Sequence, residues 1–169
     1  MGSNAVLDRK RIATGNWLYL EEVSYSDHHG SRRTWESAMR LRGRGAVAII
    51  AVLKPSGRII LVRQFRPPAG AHVIEFPAGL MDGDESPETT ATRELLEETG
   101  YSGRIIRVSP PLYNSPGLSG ETTGLVIMEV DENAPCNRSP ETKFDDGEHV
   151  ETFLVPLKDM AAFLDTSHK

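Results

Sequence analysis

Cysteine is almost missing from this 169-residue chain, where Cys136 stands alone. That excludes an internal disulfide, argues against a Cys-rich zinc site, and makes a reducing cytoplasmic setting the expectation. Tryptophan is nearly as scarce, with only Trp17 and Trp35. Basic charge is in deficit too: 19 Lys and Arg against 24 Asp and Glu leave a formal net charge of −5. A general nucleic-acid surface would carry the opposite sign, so any phosphate binding has to be local. Long apolar runs are absent. Ala46 to Leu53 is the size of one strand and far short of a membrane span, and no apolar signal core accompanies the basic residues after Asp8. What remains is 38% hydrophobic and 25% charged, enough for one catalytic domain with a sizeable core.

The informative stretch is Gly79 to Tyr101. Ser86-Pro87 is a strong helix start, because Ser caps free amides and Pro suits the first helical position. Glu88 sits favourably in the first turn, and Gly100 supplies the left-handed conformation that closes many helices. The spacing predicts a helix over Pro87 to Thr99. At roughly 100° per residue, Glu94, Glu97 and Glu98 share an arc of about 100°. Like charges so placed weaken an isolated helix by roughly 0.2–0.5 kcal/mol per pair. A solvated acidic face is the ordinary reading of such a helix. Here, however, the acidic glycine-rich loop Gly79-Leu80-Met81-Asp82-Gly83-Asp84-Glu85 precedes it, and hard oxygen ligands on a loop and one helical face suit magnesium.

Gly79, Glu85 and Arg93-Glu94-Leu95-x-Glu97-Glu98-x-Gly100 fall at the spacing of the Nudix box, and the chain resembles that hydrolase superfamily. Every fixed polar and glycine position is present; Tyr101 departs, standing where the pattern favours an aliphatic residue. The resemblance implies an α+β fold, an α/β/α sandwich around a mixed sheet, and hydrolysis of nucleoside diphosphates linked to another moiety.

Strand patterns agree with that class. Gly45 to Leu53 reads as a central strand buried on both faces, and Pro55-Ser56-Gly57 as a turn into a strand over Arg58 to Phe65. Val73 to Phe76, Arg104 to Val108, Leu125 to Val130 and Val150 to Val155 read as further strands, Lys158 to Leu164 as a terminal helix, and Asp131 to Gly147 as a long loop. Trp17 to Ser24 and Arg32 to Met39 read as an N-terminal β-hairpin around Asp27-His28-His29-Gly30. A lone hairpin is marginal, so it is expected to pack on the main domain or on a second subunit. The expected division is a β extension over residues 1–43, serving dimerisation and base binding, and a hydrolase domain over 44–169.

Beyond the box, Gln64-Phe65-Arg66-Pro67-Pro68, Glu75-Phe76-Pro77-Ala78-Gly79, Ser115 to Glu121 and Asp146-Gly147-Glu148 are similar to the ADP-ribose and ADP-sugar pyrophosphatase branch. Pro116, sixteen positions after Gly100, tends to mark ADP-ribose enzymes in this superfamily. Read alone, Trp17 and Trp35 are packing residues; the resemblance implies that they sandwich an adenine, one coming from each subunit of a homodimer. It also brings in Glu36 as an acceptor for the adenine amino group. Arg40 and Arg66 are candidate diphosphate ligands, since a guanidinium grips two phosphate oxygens at once. The resemblance pairs Arg93 with a box carboxylate, Glu97, and offers Glu148 as a base near the reacting water. Mg2+, with Mn2+ as a substitute, is the implied cofactor, held by Glu94, Glu98, the Ala78 carbonyl and Glu97. The five histidines show no ligand spacing. UDP-sugars, oxidised nucleoside diphosphates and a non-catalytic nucleotide-binding module are the alternatives.

Overall fold

The computed structural model describes residues 3–42, 45–144 and 149–166. The first three strands, β1 (Ala5–Thr14), β2 (Leu18–Ser26) and β3 (Arg32–Arg40), form an antiparallel sheet in that order. The expected hairpin is therefore the inner part of a three-stranded sheet. Strand β1 escaped sequence reading because Asp8, Arg9, Lys10 and Arg11 mask any alternation, and all ten of its residues are exposed. Pairing with β2 makes it a strand.

The second sheet holds β4 (Ala46–Lys54), β5 (Arg58–Arg66), β6 (Ala71–Glu75), β7 (Ala78–Leu80), β8 (Arg104–Val108), β9 (Leu112–Tyr113), β10 (Thr122–Asp131) and β11 (Glu151–Pro156). Its backbone order is β11-β5-β4-β10-β8. β10 runs parallel to β4, while the other pairings are antiparallel, so the sheet is mixed. Strand β4 corrects one expectation. Its burial alternates, with Val47, Ile49, Ala51 and Leu53 fully buried and the intervening residues half-buried.

That alternation separates two cores. On one face Val47, Ile49, Leu53, Ile60, Val126 and Met128 pack with Ala91 and Leu95 of helix α1 (Pro87–Thr99). On the other, Ile59, Leu61 and Val155 pack with Phe153, Met160 and Phe163, the last two from helix α2 (Met160–Thr166). Strand β5 feeds both cores, Ile60 to one and Leu61 to the other, as a period of two requires. The result is an α+β sandwich with one helix on each face of the sheet. Helix α1 occupies the predicted span, and Tyr101 is buried in its core, filling the box's aliphatic position.

The two sheets meet at the 115–121 segment. Leu118 O accepts from Ala38 N–H at 2.9 Å, and Trp35 Nε1–H donates to Gly117 O at 3.1 Å.

Candidate active site

Helix α1 is held at both ends as its sequence dictates. Ser86 Oγ accepts from Thr89 N–H at 3.2 Å, and Gly100 takes φ +72° while its N–H reaches Leu96 O at 2.8 Å. This fixes the face carrying Glu94, Glu97 and Glu98 against β7 and β4. Glu98 is 2% exposed, and its Oε2 accepts from Ala78 N–H at 3.0 Å. The carboxylate thus ties the helix to the strand that delivers Ala78 and Gly79.

Gly79 explains how Glu94 reaches the same place. A Cβ at position 79 would stand 1.8 Å from Glu94 Oε1 and 1.9 Å from Cδ. Only a residue without a side chain leaves that room, a requirement of close approach rather than of backbone angle.

Arg93 is the electrostatic hub. Its Nε and NH2 grip the two oxygens of Glu85 at 3.2 and 3.0 Å. NH1 donates to Glu94 at 2.8 Å and Glu97 at 3.1 Å, and NH2 also reaches Leu80 O at 3.3 Å. The predicted Glu97 contact is present, but the two-point grip falls on Glu85. The family resemblance implied Glu97; the acidic loop folding back over the helix start brings Glu85 nearer. Glu85 answers strongly: the Arg93 hydrogen bond, aided by Thr90 Oγ1 at 2.9 Å, lowers its pKa from 4.5 to about 2. These carboxylates in turn raise Arg93 above its already high value, Glu85 most of all.

The lowered folded-state pKa of Glu85 gives a signed expectation. A carboxyl with pKa 4.5 unfolded and about 2 folded contributes stability that is fully present above about pH 4.5 and disappears as pH falls through about 2. In thermal melts, the deficit of Glu85→Gln relative to wild type is expected to shrink steadily from pH 4.5 to pH 2. A deficit independent of pH would assign the loss to packing instead.

Facing these carboxylates is a cleft of about 490 Å3 lined by Arg40, Arg66, Ala78, Gly79, Asp82, Arg93, Glu94, Glu97, Asn114 and Glu121, with Ala46 and Leu80. Both predicted phosphate ligands therefore open on it. Each is aimed by an acid: Arg66 by Glu75, at 2.9 Å from Nε and 2.6 Å from NH2, and Arg40 by Glu121. Glu121 closes the Ser115 to Glu121 run that carries part of the resemblance but had no role there, and Asn114 had no signal in the sequence, because only the return of β10 beside β4 brings them to the cleft.

The tryptophans do not behave as core residues, since Trp17 is 80% and Trp35 51% exposed. Nor does one chain bring them together. Trp17 O accepts from Leu41 N–H, at one end of the sheet, whereas Trp35 pairs with Val23, six residues further along β2. At about 3.3 Å per residue that is about 20 Å, beyond two offset stacking steps of about 4.5 Å each. Trp35 and Pro116 line two adjoining cavities of about 440 and 280 Å3. In the unbroken register of β2 and β3, Glu36 follows Trp35 and projects to the other face of the sheet. Glu148 lies outside the described residues.

Among the described residues, no three His, Cys, Asp or Glu side chains form a closed metal cage. The donor set nevertheless fits a hard divalent cation. Glu94 and Glu97 are carboxylates on the cleft, Ala78 lines it beside them, and the space a Cβ at Gly79 would fill is kept for Glu94. Magnesium is usually held by one or two carboxylates, with waters and substrate phosphates completing its shell.

Comparison with known proteins agrees. The NUDIX domain description matches residues 43–169. An ADP-sugar pyrophosphatase of Mus musculus is 39% identical over 171 residues, covering 97% of this chain and 78% of its own. An ADP-ribose pyrophosphatase of Saccharomyces cerevisiae is 41% identical over 156 residues, covering 88% and 68%. A solved structure described as an ADP compounds hydrolase aligns with TM-score 0.73 over 98% of this chain and 84% of that one; at 22% identity this likeness concerns the fold alone. With the box intact from Gly79 to Gly100 and the match running over most of its length, the chain belongs to the NUDIX domain family.

Proposed function

We propose that this Nudix hydrolase cleaves the diphosphate of ADP-ribose and related ADP-sugars, releasing AMP and a sugar phosphate, with Mg2+ or, in its place, Mn2+. One observation carries the reading: a single cleft gathers Arg40 and Arg66 with Glu94 and Glu97 of α1. The names of the mouse and yeast relatives point to the same substrates.

A phosphoanhydride resists attack because its oxygens repel the nucleophile. Arg40 and Arg66 bind the diphosphate and stabilise charge spreading over the phosphoryl oxygens during in-line displacement. Glu94, Glu97, Glu98 and the Ala78 carbonyl hold the cation. When bound, the cation supplies further charge neutralisation and lowers the pKa of water at the site. A carboxylate, Glu97, Glu98 or Glu148, takes the proton of the attacking water. Arg93 offsets the mutual repulsion of Glu85, Glu94 and Glu97 and fixes them in place.

Adenine binding is assigned to Trp17 and Trp35 of two copies, with the Pro116 segment beside Trp35. The separation of the two rings within one chain supports a site completed by a second subunit. So does β1, an exposed edge strand carrying Val6, Leu7 and Ile12, since such edges are normally covered. Residues 1–43 would then serve dimerisation and base binding, and 44–169 catalysis. No helix among the described residues is long and apolar enough to cross a membrane; a reducing cytoplasmic compartment is part of the proposal.

A substrate panel tests this. ADP-ribose, ADP-glucose, UDP-glucose and an oxidised guanosine diphosphate are offered to metal-stripped protein with and without Mg2+. The expected result is Mg2+-dependent release of AMP, fastest from ADP-ribose. Preference for UDP-glucose would remove the adenine assignment, and cleavage of none would leave a nucleotide-binding module.

A further inference from the structure

In the chain between β10 and β11, described residues Asn137 and Lys143 make contacts that the reaction chemistry above does not use. Near its start, Asn137 is 5% exposed and spends its whole amide on backbone. Its Oδ1 accepts from Ser102 N–H at 2.8 Å, and its Nδ2 donates to Ser102 O at 2.9 Å and Asp131 O at 2.8 Å. Further on, Lys143 N–H donates to Glu97 O at 2.8 Å. That carbonyl belongs to the last turn of α1, where no intrahelical donor remains. Between the two contacts the backbone passes so close to the helix end that a Cβ at Gly100 would stand 2.4 Å from Glu141 N. Gly100 thus serves twice, by its positive φ and by admitting a second chain segment.

We propose that Asn137, Gly100 and the Lys143 amide form a clamp that holds the final turn of α1, and with it Glu97 and Glu98, in catalytic register. Asn137 is a positioning residue: it anchors the loop to Ser102, just past the helix, so that the Lys143 amide arrives at Glu97 O. The clamp touches neither Arg40 and Arg66 nor the tryptophans, which sit on other elements. With Mg2+ saturating, its loss therefore acts on turnover more than on substrate affinity. A Lys143 side chain is exposed and unnecessary to this; only its amide hydrogen matters.

The inference rests on the proposed hydrolysis, and its test separates the two. Lys143→Pro deletes the donor, Lys143→Ala keeps it, and Asn137→Ala removes the anchor. Lys143→Pro and Asn137→Ala are expected to lower kcat for ADP-ribose at least about tenfold with KM within about twofold, while Lys143→Ala matches wild type. Hydrogen exchange of the amides of residues 97–100 should quicken in Lys143→Pro alone of the two Lys143 variants. Unchanged kcat or unchanged exchange in folded Lys143→Pro overturns the clamp, as does a raised KM with kcat intact. A wild-type protein that cleaves no ADP-sugar overturns the substrate reading instead, and the exchange comparison then decides the clamp by itself.

Discussion

Gly79→Ala is expected to reduce turnover by about a hundredfold while leaving thermal stability nearly unchanged. The two halves of this expectation have separate causes. Gly79 is not in the left-handed region, since it is absent from the positive-φ glycines, so alanine meets no backbone penalty there. In the unfolded chain the substitution removes conformational freedom, which alone favours folding by about 0.4–1 kcal/mol. The three nearest atoms the new Cβ would meet all belong to one flexible side chain, Glu94, whose Oε1, Cδ and Cγ would lie at 1.8, 1.9 and 2.5 Å. That side chain yields rather than the strand. Once displaced, Glu94 leaves both the cleft and the Arg93 NH1 bond at 2.8 Å, and the proposed cation site would lose one of its carboxylates. Steady-state kinetics with a melting curve check both halves. Near-normal kcat would show that Glu94 is not needed where it lies, and a large fall in melting temperature would move the role of Gly79 from chemistry to folding.

What was legible in the sequence was what is locally encoded. The bounds of α1 follow from Ser86-Pro87 at one end and Gly100 at the other, and the arc of Glu94, Glu97 and Glu98 follows from helical geometry alone. Features depending on which segments meet were not legible. Strand β1 is a strand only because β2 pairs with it, and the three residues of β7 only because β4 does. The role of Gly79 was visible as a box position but not as a contact, since nothing in the local sequence says that Glu94 passes over it. The Glu85 grip on Arg93 and the three-bond anchor of Asn137 are likewise tertiary. The tryptophans carry the converse lesson: read alone they favoured packing, the family resemblance pointed instead to a base site shared between subunits, and their exposure and separation along the sheet support that proposal.

Glu98→Gln is expected to lower kcat by at least about a hundredfold, again with little loss of fold. Glutamine has the same shape, and its carbonyl oxygen can still accept the Ala78 N–H now held at 3.0 Å. The link between α1 and β7 therefore survives. What disappears is a negative charge that is 2% exposed, in surroundings where a charge interacts far more strongly than in water. On the proposed assignment its loss would weaken the hold on a divalent cation and remove one of the candidate acceptors for the proton of the attacking water. Glu97→Gln is the informative companion. Its side chain is 38% exposed and shares Arg93 with Glu94, so water and the neighbouring carboxylates screen its loss, and a smaller fall in kcat is expected. Rates measured across a Mg2+ titration distinguish the two roles of Glu98. Recovery of Glu98→Gln at high Mg2+ assigns it to cation binding, a loss that persists at saturation adds the proton-transfer role, and near-normal turnover at every concentration would place the metal site elsewhere.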